Sequence, residues 1–247
     1  MNLILQSAEK QALLREGPGG RTALPVSAPA LLERLLVASC LALLALAVFL
    51  SHTFDEPLLR LLYRATDAEN AFLWRGISGF GSGLTLTPVV VAMVLILVWR
   101  NQTGSALALA FGWAATSLTV EWLKWLLDRG RPPFSPWILA RGNAFPSGHA
   151  ALSLYVCLYL GLSLRSSISW QGRGGRLERS LRKASFVLLG SIPVAVGLSR
   201  VTLGVHWPSD VAAGWAVGLF FGSLARVLQE EERHPQSDSD ENGNRDA

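Results

Sequence analysis

Six long apolar stretches, separated by short charged patches, constrain this chain more than anything else in its sequence. They run near residues 31–50, 84–99, 105–127, 150–164, 184–203 and 211–228. Crossing a bilayer core takes about 20 apolar residues in a helix, and lipid offers no partner to free backbone N–H and C=O groups. Each stretch is therefore expected to be helical, with the shorter ones extended into flanking polar positions. Charged residues make up only 16% of the chain and hydrophobic ones 50%, whereas soluble domains carry roughly 25% charge. The expected fold class is all-α: an integral membrane bundle of six transmembrane helices with both termini cytoplasmic.

Orientation follows from the basic residues, which collect on the cytoplasmic side of membrane proteins. Lys10, Arg15, Arg21 and Arg34 precede or open the first stretch, and Arg100 lies in the second connection. Arg165, Arg173, Arg176, Arg179, Arg182 and Lys183 lie between the fourth and fifth. With six crossings all of these share one face. Residues 1–30, with no apolar core and cleavage site, are expected to be a flexible tail rather than a secretory signal. Residues 31–228 would form the membrane domain, and the polar, mostly acidic residues 229–247 a disordered tail. The net charge of +4 is explained by topology, and no solvated stretch interleaves basic with aromatic residues, so nucleic acid is not an expected partner. Cys40 and Cys157 fall inside apolar stretches far apart, which argues against a disulfide framework or CxxC-type metal site. Gly76, Gly79, Gly81 and Gly83 follow a short expected helix over 67–80. With no strand or βαβ unit around them, they signal helix breaking or close packing rather than a nucleotide loop.

Three polar motifs interrupt the pattern. Lys124-Trp-Leu-Leu-Asp-Arg-Gly-Arg131-Pro132 ends the third stretch, and Pro146-Ser147-Gly148-His149 opens the fourth. Ser199-Arg200-Val-Thr-Leu-Gly-Val-His206-Trp-Pro-Ser-Asp210 joins the fifth to the sixth. Counting crossings from a cytoplasmic N-terminus brings all three to the external face.

The residue types suit an anion. Lys124 and Arg131, seven apart, would project from one helical face, and Arg200 adds a third cation. Such charge at a membrane boundary is costly without a counter-charge. Glu121 is placed to pair with Lys124, and Asp128 with Arg129 or Arg131, but these acids are too few. A dianionic phosphate would satisfy the cluster, because guanidinium forks bind its oxygens bidentately. Pro146 suits a first helical turn, leaving the Ser147 and Gly148 amides free for an anion. The Ser147 hydroxyl would add a donor. His206 and Asp210, four apart, would share a helical face. The carboxylate would then fix the imidazole tautomer and leave the second nitrogen free to attack. His149 would protonate the leaving alkoxide. His52 and His234 have no such company. No carboxylate cluster suited to Mg²⁺ is present, so no metal or other cofactor is expected and activity should survive a chelator.

On these motifs the chain resembles the type-2 phosphatidic acid phosphatase and vanadium haloperoxidase superfamily. Its signature is Lys-x6-Arg-Pro, Pro-Ser-Gly-His, then Ser-Arg-x5-His-x3-Asp, and every position is matched here in order and spacing. The resemblance covers about residues 70–225, and the setting around Pro146–His149 looks bacterial. It implies that Lys124, Arg131, Ser147, Gly148 and Arg200 hold the phosphate oxygens. It also implies that His206, oriented by Asp210, becomes a phosphohistidine, and that His149 serves the leaving group and then the hydrolytic water. The implied activity is a metal-independent lipid phosphate phosphatase in the cell membrane, its site on the external, periplasmic face. Phosphatidic acid, phosphatidylglycerol phosphate and undecaprenyl pyrophosphate are candidate substrates, as is a terminal phosphate on a lipid A-type glycolipid.

Other classes fit less well. The six spans argue against the soluble haloperoxidase branch. A headgroup phosphotransferase shares the His and Asp set, so motifs alone leave it open. A transporter would place polar residues deep in several spans, whereas here they gather at one end. A non-catalytic lipid-binding protein would tolerate loss of His206. Trp122, Trp125, Trp137 and Trp207 are expected to form an interfacial aromatic belt.

Overall fold

The computed structural model describes residues 53–134, 136–167 and 176–233. The first expected span (31–50), the N-terminal tail, residues 234–247 of the expected C-terminal tail and His52 lie outside the described residues, whereas residues 229–233 belong to the last helix. Within them all regular structure is helical, with no strand. The helices are α1 (Asp55–Arg64), α2 (Ala68–Gly79), α3 (Gly83–Trp99), α4 (Thr103–Leu127), α5 (Gly148–Ser167), α6 (Arg176–Thr202) and α7 (Pro208–Arg233).

Local chemistry explains most boundaries. The Asp67 carboxylate caps α2 by accepting the Asn70 N–H, and the Ser82 hydroxyl caps α3 by accepting that of Thr85; each satisfies an amide the helix cannot. The glycine-rich run is the break between α2 and α3, and one of its members answers to space. A Cβ on Gly81 would lie 2.3 Å from Val196 Cγ1 and 3.0 Å from the His149 carbonyl. Residue 81 thus wedges the α2–α3 corner against α5 and α6. Proline opens α7 at its first position, where no N–H is missed. Helix α4 stops at Asp128, which turns left-handed (φ 42°) while its N–H bonds the Lys124 carbonyl.

Among the described residues three helical stretches are long and apolar enough to cross a membrane, Ala68–Trp99, Thr103–Leu127 and Lys183–Thr202; Gly148–Gly161 is a shorter apolar helix. Helix α6 starts eight residues before its expected apolar stretch. Arg176, Arg179, Arg182 and Lys183 are therefore on a helix rather than in a loop, because an uncapped α-helix continues past its apolar section wherever the residues are good helix formers. Leu84, Leu95, Ile96, Leu107, Leu118 and Val187 are exposed, an apolar surface that suits lipid rather than water.

Helices α4, α5 and α7 form the centre. Leu109, Tyr155, Val156, Tyr159 and Ala225 make its core, with Leu86 and Val90 of α3 against it. The buried tyrosines cross-link as well as pack: Tyr155 O–H donates to the Leu109 carbonyl at 2.7 Å, and Tyr159 O–H to that of Ser105 at 2.7 Å. A hydroxyl in such surroundings is costly unless it finds an acceptor. The C-terminal ends of α4 and α6 and the N-terminal ends of α5 and α7 meet at one end of this bundle. The three polar motifs sit on those ends.

Candidate active site

The third motif sets the centre of the site. His206 lies in the 203–207 turn, just before α7, and is almost wholly buried. Its Nδ1 stands 3.4 Å from Asp210 Oδ2. The pair meets as expected, but not on one continuous helix: the turn supplies the contact because Pro208 starts α7 two residues later. Asp210 Oδ2 also accepts the Trp207 N–H at 2.8 Å. This is half of a capping box, a third-position acid reaching back to the cap amide, and the positive helix end favours the carboxylate. Arg131 Nη1 stands 3.4 Å from His206 Nε2. A guanidinium only donates, so this contact and the Asp210 carboxylate together favour the tautomer with its proton on Nδ1, while the Ala144 backbone is a further partner of the ring.

Arg131 reaches this place from a loop. The structure corrects the expected two-turn helical spacing from Lys124, since α4 ends at Leu127. The loop is instead folded back: Asn143 Nδ2 donates to the Lys124 carbonyl at 2.8 Å. Arg131 donates to the carbonyls of Val205 (2.7 Å), Arg141 (2.9 Å), Gly142 (3.0 Å) and Asn143 (3.4 Å). These acceptors fix the guanidinium plane without carrying a counter-charge. Burial pulls the Arg131 pKa below its ordinary value, and the Asp210 carboxylate partly opposes this.

Lys124 forms the expected ion pair with Glu121, at 2.7 Å. It still lies beside the second motif, since a Cβ on Gly148 would come within 3.9 Å of Lys124 Nζ. Buried Arg200 donates from Nη1 to Ser78 Oγ of α2 at 2.6 Å. The half-buried His149 feels the charges of Arg200, Lys124 and Arg131 together with the His206 imidazole. All eight residues singled out in the sequence thus lie at one end of the bundle.

The second motif departs from expectation in one respect. Pro146 lies before α5 rather than in its first turn, and the Ser147 N–H is not free: it donates to the Asp210 carbonyl at 2.9 Å. This bond ties the start of α5 to the start of α7, leaving the Gly148 amide as the helix-end donor. Three buried donors remain without a partner among the described residues: Ser147 Oγ, Arg200 Nε and, in the 128–147 loop, Trp137 Nε1. Leaving a buried donor unmet costs about 1–3 kcal/mol. Ser147 and Arg200 belong to the second and third motifs, beside the cations.

Burial lowers the His206 pKa well below its ordinary value, and Arg200, Arg131 and Lys124 lower it further. These effects favour the neutral imidazole. Among the described residues, no group of three or more His, Cys, Asp and Glu side chains could hold a metal ion.

Four contributors escaped the sequence reading. Arg129 does not pair with Asp128. It donates to Asp210 Oδ1 from Nη1 and to Asp55 Oδ2 from Nη2, both at 2.7 Å, with Ser209 Oγ 2.6 Å from Nη1. Asp55, buried at the start of α1, also accepts the Ser209 N–H at 2.8 Å and its hydroxyl. Ser78 holds Arg200 as described above. Arg129 was visible inside the first motif, but nothing in the sequence links it to Asp55. Trp207 is likewise more than a belt residue: its Nε1 donates to the Gly130 carbonyl, and the Arg129 guanidinium lies 5.5 Å from its ring centroid.

The sequence profile of the PAP2 superfamily matches residues 105–233. Phosphatidylglycerophosphatase B of Bacillus subtilis is 28% identical over 156 residues, covering 63% of this chain and 73% of that protein. An undecaprenyl-diphosphatase of Sulfolobus acidocaldarius is 26% identical over 159 residues, 62% of this chain and 68% of that one. The crystal structure of a transmembrane PAP2 type phosphatidylglycerolphosphate phosphatase from Bacillus subtilis superposes with a TM-score of 0.69 at 25% identity. That match covers 79% of this chain and 96% of the other.

Proposed function

The chain belongs to the PAP2 superfamily and is a membrane phosphatase, and from this premise we propose that it hydrolyses a terminal phosphate or pyrophosphate of a membrane lipid through a phosphohistidine on His206. The observation that carries the reading is that two of the three buried, unpartnered donors, Ser147 Oγ and Arg200 Nε, stand in the motifs that also bring Lys124 and Arg131 to this end of the bundle. Phosphate oxygens are the acceptors this set lacks. With the Gly148 N–H they would hold the phosphoryl group and take up its charge as the transition state forms.

In the first step His206 Nε2 attacks phosphorus, the N–P bond forms and the P–O bond to the lipid breaks. Asp210 holds the Nδ1 proton and stabilises the imidazolium charge that develops. Protonated His149, its cationic form favoured once the phosphate dianion sits among Lys124, Arg131 and Arg200, gives its proton to the departing lipid oxygen. In the second step His149 takes a proton from water, whose oxygen attacks phosphorus and releases inorganic phosphate from Nε2. Fixed cations supply the charge stabilisation, so the reaction is expected to persist in EDTA.

Substrates of the kinds named in the relatives, phosphatidylglycerol phosphate and undecaprenyl pyrophosphate, join phosphatidic acid as the panel to test. We place residues 31–228 in a six-span domain with cytoplasmic termini, residues 1–30 and 229–247 as tails, and the site on the external face. Detergent-purified protein should release phosphate from one or more of these lipids in EDTA, and His206→Ala should release none. Turnover retained by His206→Ala would remove the nucleophile. Substrate consumed without phosphate release would indicate headgroup transfer instead.

A further inference from the structure

We propose that Asp55, acting through Arg129, is a positioning residue for the His206–Asp210 pair; the inference rests on the assignment of His206 as nucleophile. Asp55 stands in the first turn of α1, ahead of the residues that match the superfamily profile, yet it is only 3% exposed. A carboxylate so buried must be paired, and its partners all lead to the site. Its Oδ2 accepts from Arg129 Nη2 and its Oδ1 from the Ser209 N–H. Arg129 Nη1 in turn holds Asp210 Oδ1, while Asp210 Oδ2 faces the imidazole. The guanidinium is thus clamped between two buried acids, and the rings of Trp207 and Phe145 close it off at 5.5 and 6.0 Å.

The geometry shows what each link contributes. With both carboxylates bound, the planar fork has one orientation, so Asp210 is held at Oδ1 while Oδ2 stays directed at Nδ1. Without Asp55, the fork can turn to bind Asp210 through both of its oxygens. That competes for the oxygen that fixes the tautomer. Ser209 fits the same logic: its amide and hydroxyl fasten Asp55 to the second residue of α7, next to Asp210. Helix α1 is thereby docked by the same group that sets the catalytic acid, with Leu59 packed against Val201 and Val211 behind it.

The test uses Asp55→Asn in full-length protein, with wild type and His206→Ala measured alongside on the lipid that gives turnover. The amide would turn a donor toward Arg129, breaking the clamp while keeping size and shape. Loss of an outer carboxylate of this kind typically costs about 10- to 100-fold. We expect kcat to fall by about that factor with KM within about threefold, in protein that elutes as wild type and unfolds cooperatively. In an Arg129→Lys background, where the single ammonium cannot span both acids, Asp55→Asn should add less than about twofold, since residues acting as one unit are non-additive. Arg129→Lys alone carries the test if Asp55→Asn does not fold: it should lower kcat by a similar factor and leave KM near wild type. Wild-type kcat in either variant, a loss confined to KM, or losses that multiply in the double variant would overturn the proposal. Turnover by His206→Ala would instead overturn the functional reading beneath it.

Discussion

The contact between α5 and α7 offers a sharp perturbation. A Cβ on Gly214 would lie 2.4 Å from the Ser147 carbonyl oxygen, 3.0 Å from Ala150 Cβ and 3.3 Å from the Ala151 amide nitrogen. Ordinary contact begins near 3.4 Å, so Gly214→Ala forces the helix ends apart by about 1 Å, and the first obstacle is backbone that no rotamer change can relieve. Overpacking of this sort costs roughly 1–3 kcal/mol. The functional cost should be larger, because Ser147 carries both an unpartnered hydroxyl and the N–H bond to the Asp210 carbonyl. A displacement of about 1 Å in a positioned group can cost on the order of 100-fold in rate. Gly222→Ala is the control. Its Cβ would first meet Leu158 Cδ2 at 2.8 Å, the far end of a side chain that can move, two turns away from the site. Phosphate release and thermal unfolding in detergent should show kcat/KM down about 100-fold for Gly214→Ala and within about twofold for Gly222→Ala. Equal activities for the two, or wild-type activity and stability for Gly214→Ala, would refute the claim that this helix contact sets the site.

The remaining tests address charge and placement. His206 is held below its ordinary pKa of about 6.5 by burial and by Arg200, Arg131 and Lys124. The attacking form is neutral, so kcat/KM should fall only when the pH drops below that ordinary value. Lys124→Gln removes a cation and should move this acid limb to higher pH than in wild type, measured on the same substrate so that its own titration is common to both. A limb that stays put would mean another group controls it. Arg131→Lys keeps a charge but loses the fork that spans four carbonyls, and should lower kcat/KM by about 100-fold, as for one lost transition-state donor; a loss under about threefold would show that charge alone suffices. For topology, Leu139→Cys should react with an impermeant thiol reagent in intact cells and Gln102→Cys should not. The reverse pattern would put the site inside.

Sequence carried the chemistry further than the geometry. Lys124 with Glu121 and His206 with Asp210 were readable because both pairs lie three or four residues apart, where local backbone alone brings side chains together. Most helix ends lie within a few residues of the apolar stretches, but α6 starts eight residues ahead of its stretch and the last helix runs five past its own. The position of Arg131 was not, because a left-handed turn at Asp128 takes the chain off the helix whose spacing the reading assumed. Nor was the Ser147 N–H, taken by a carbonyl 63 residues later. The Asp55–Arg129 contact spans 74 positions, and no period or motif records a pairing of that reach.

The partners that hold the guanidiniums have a consequence for life inside a bilayer. Arg131 is fastened by carbonyls and Arg200 by a hydroxyl, so both keep their full charge while losing their freedom. On the proposed placement the site would open into a crowd of phosphodiesters, each with one negative charge and two unesterified oxygens, at concentrations no soluble enzyme faces. Cations already neutralised by acids would rank such headgroups little differently from the intended ligand. Cations that are rigid yet uncompensated, ringed by donors enough for three oxygens, favour the second charge and third oxygen of a terminal phosphate. The surrounding membrane can then act as solvent for the reaction rather than as its competitive inhibitor.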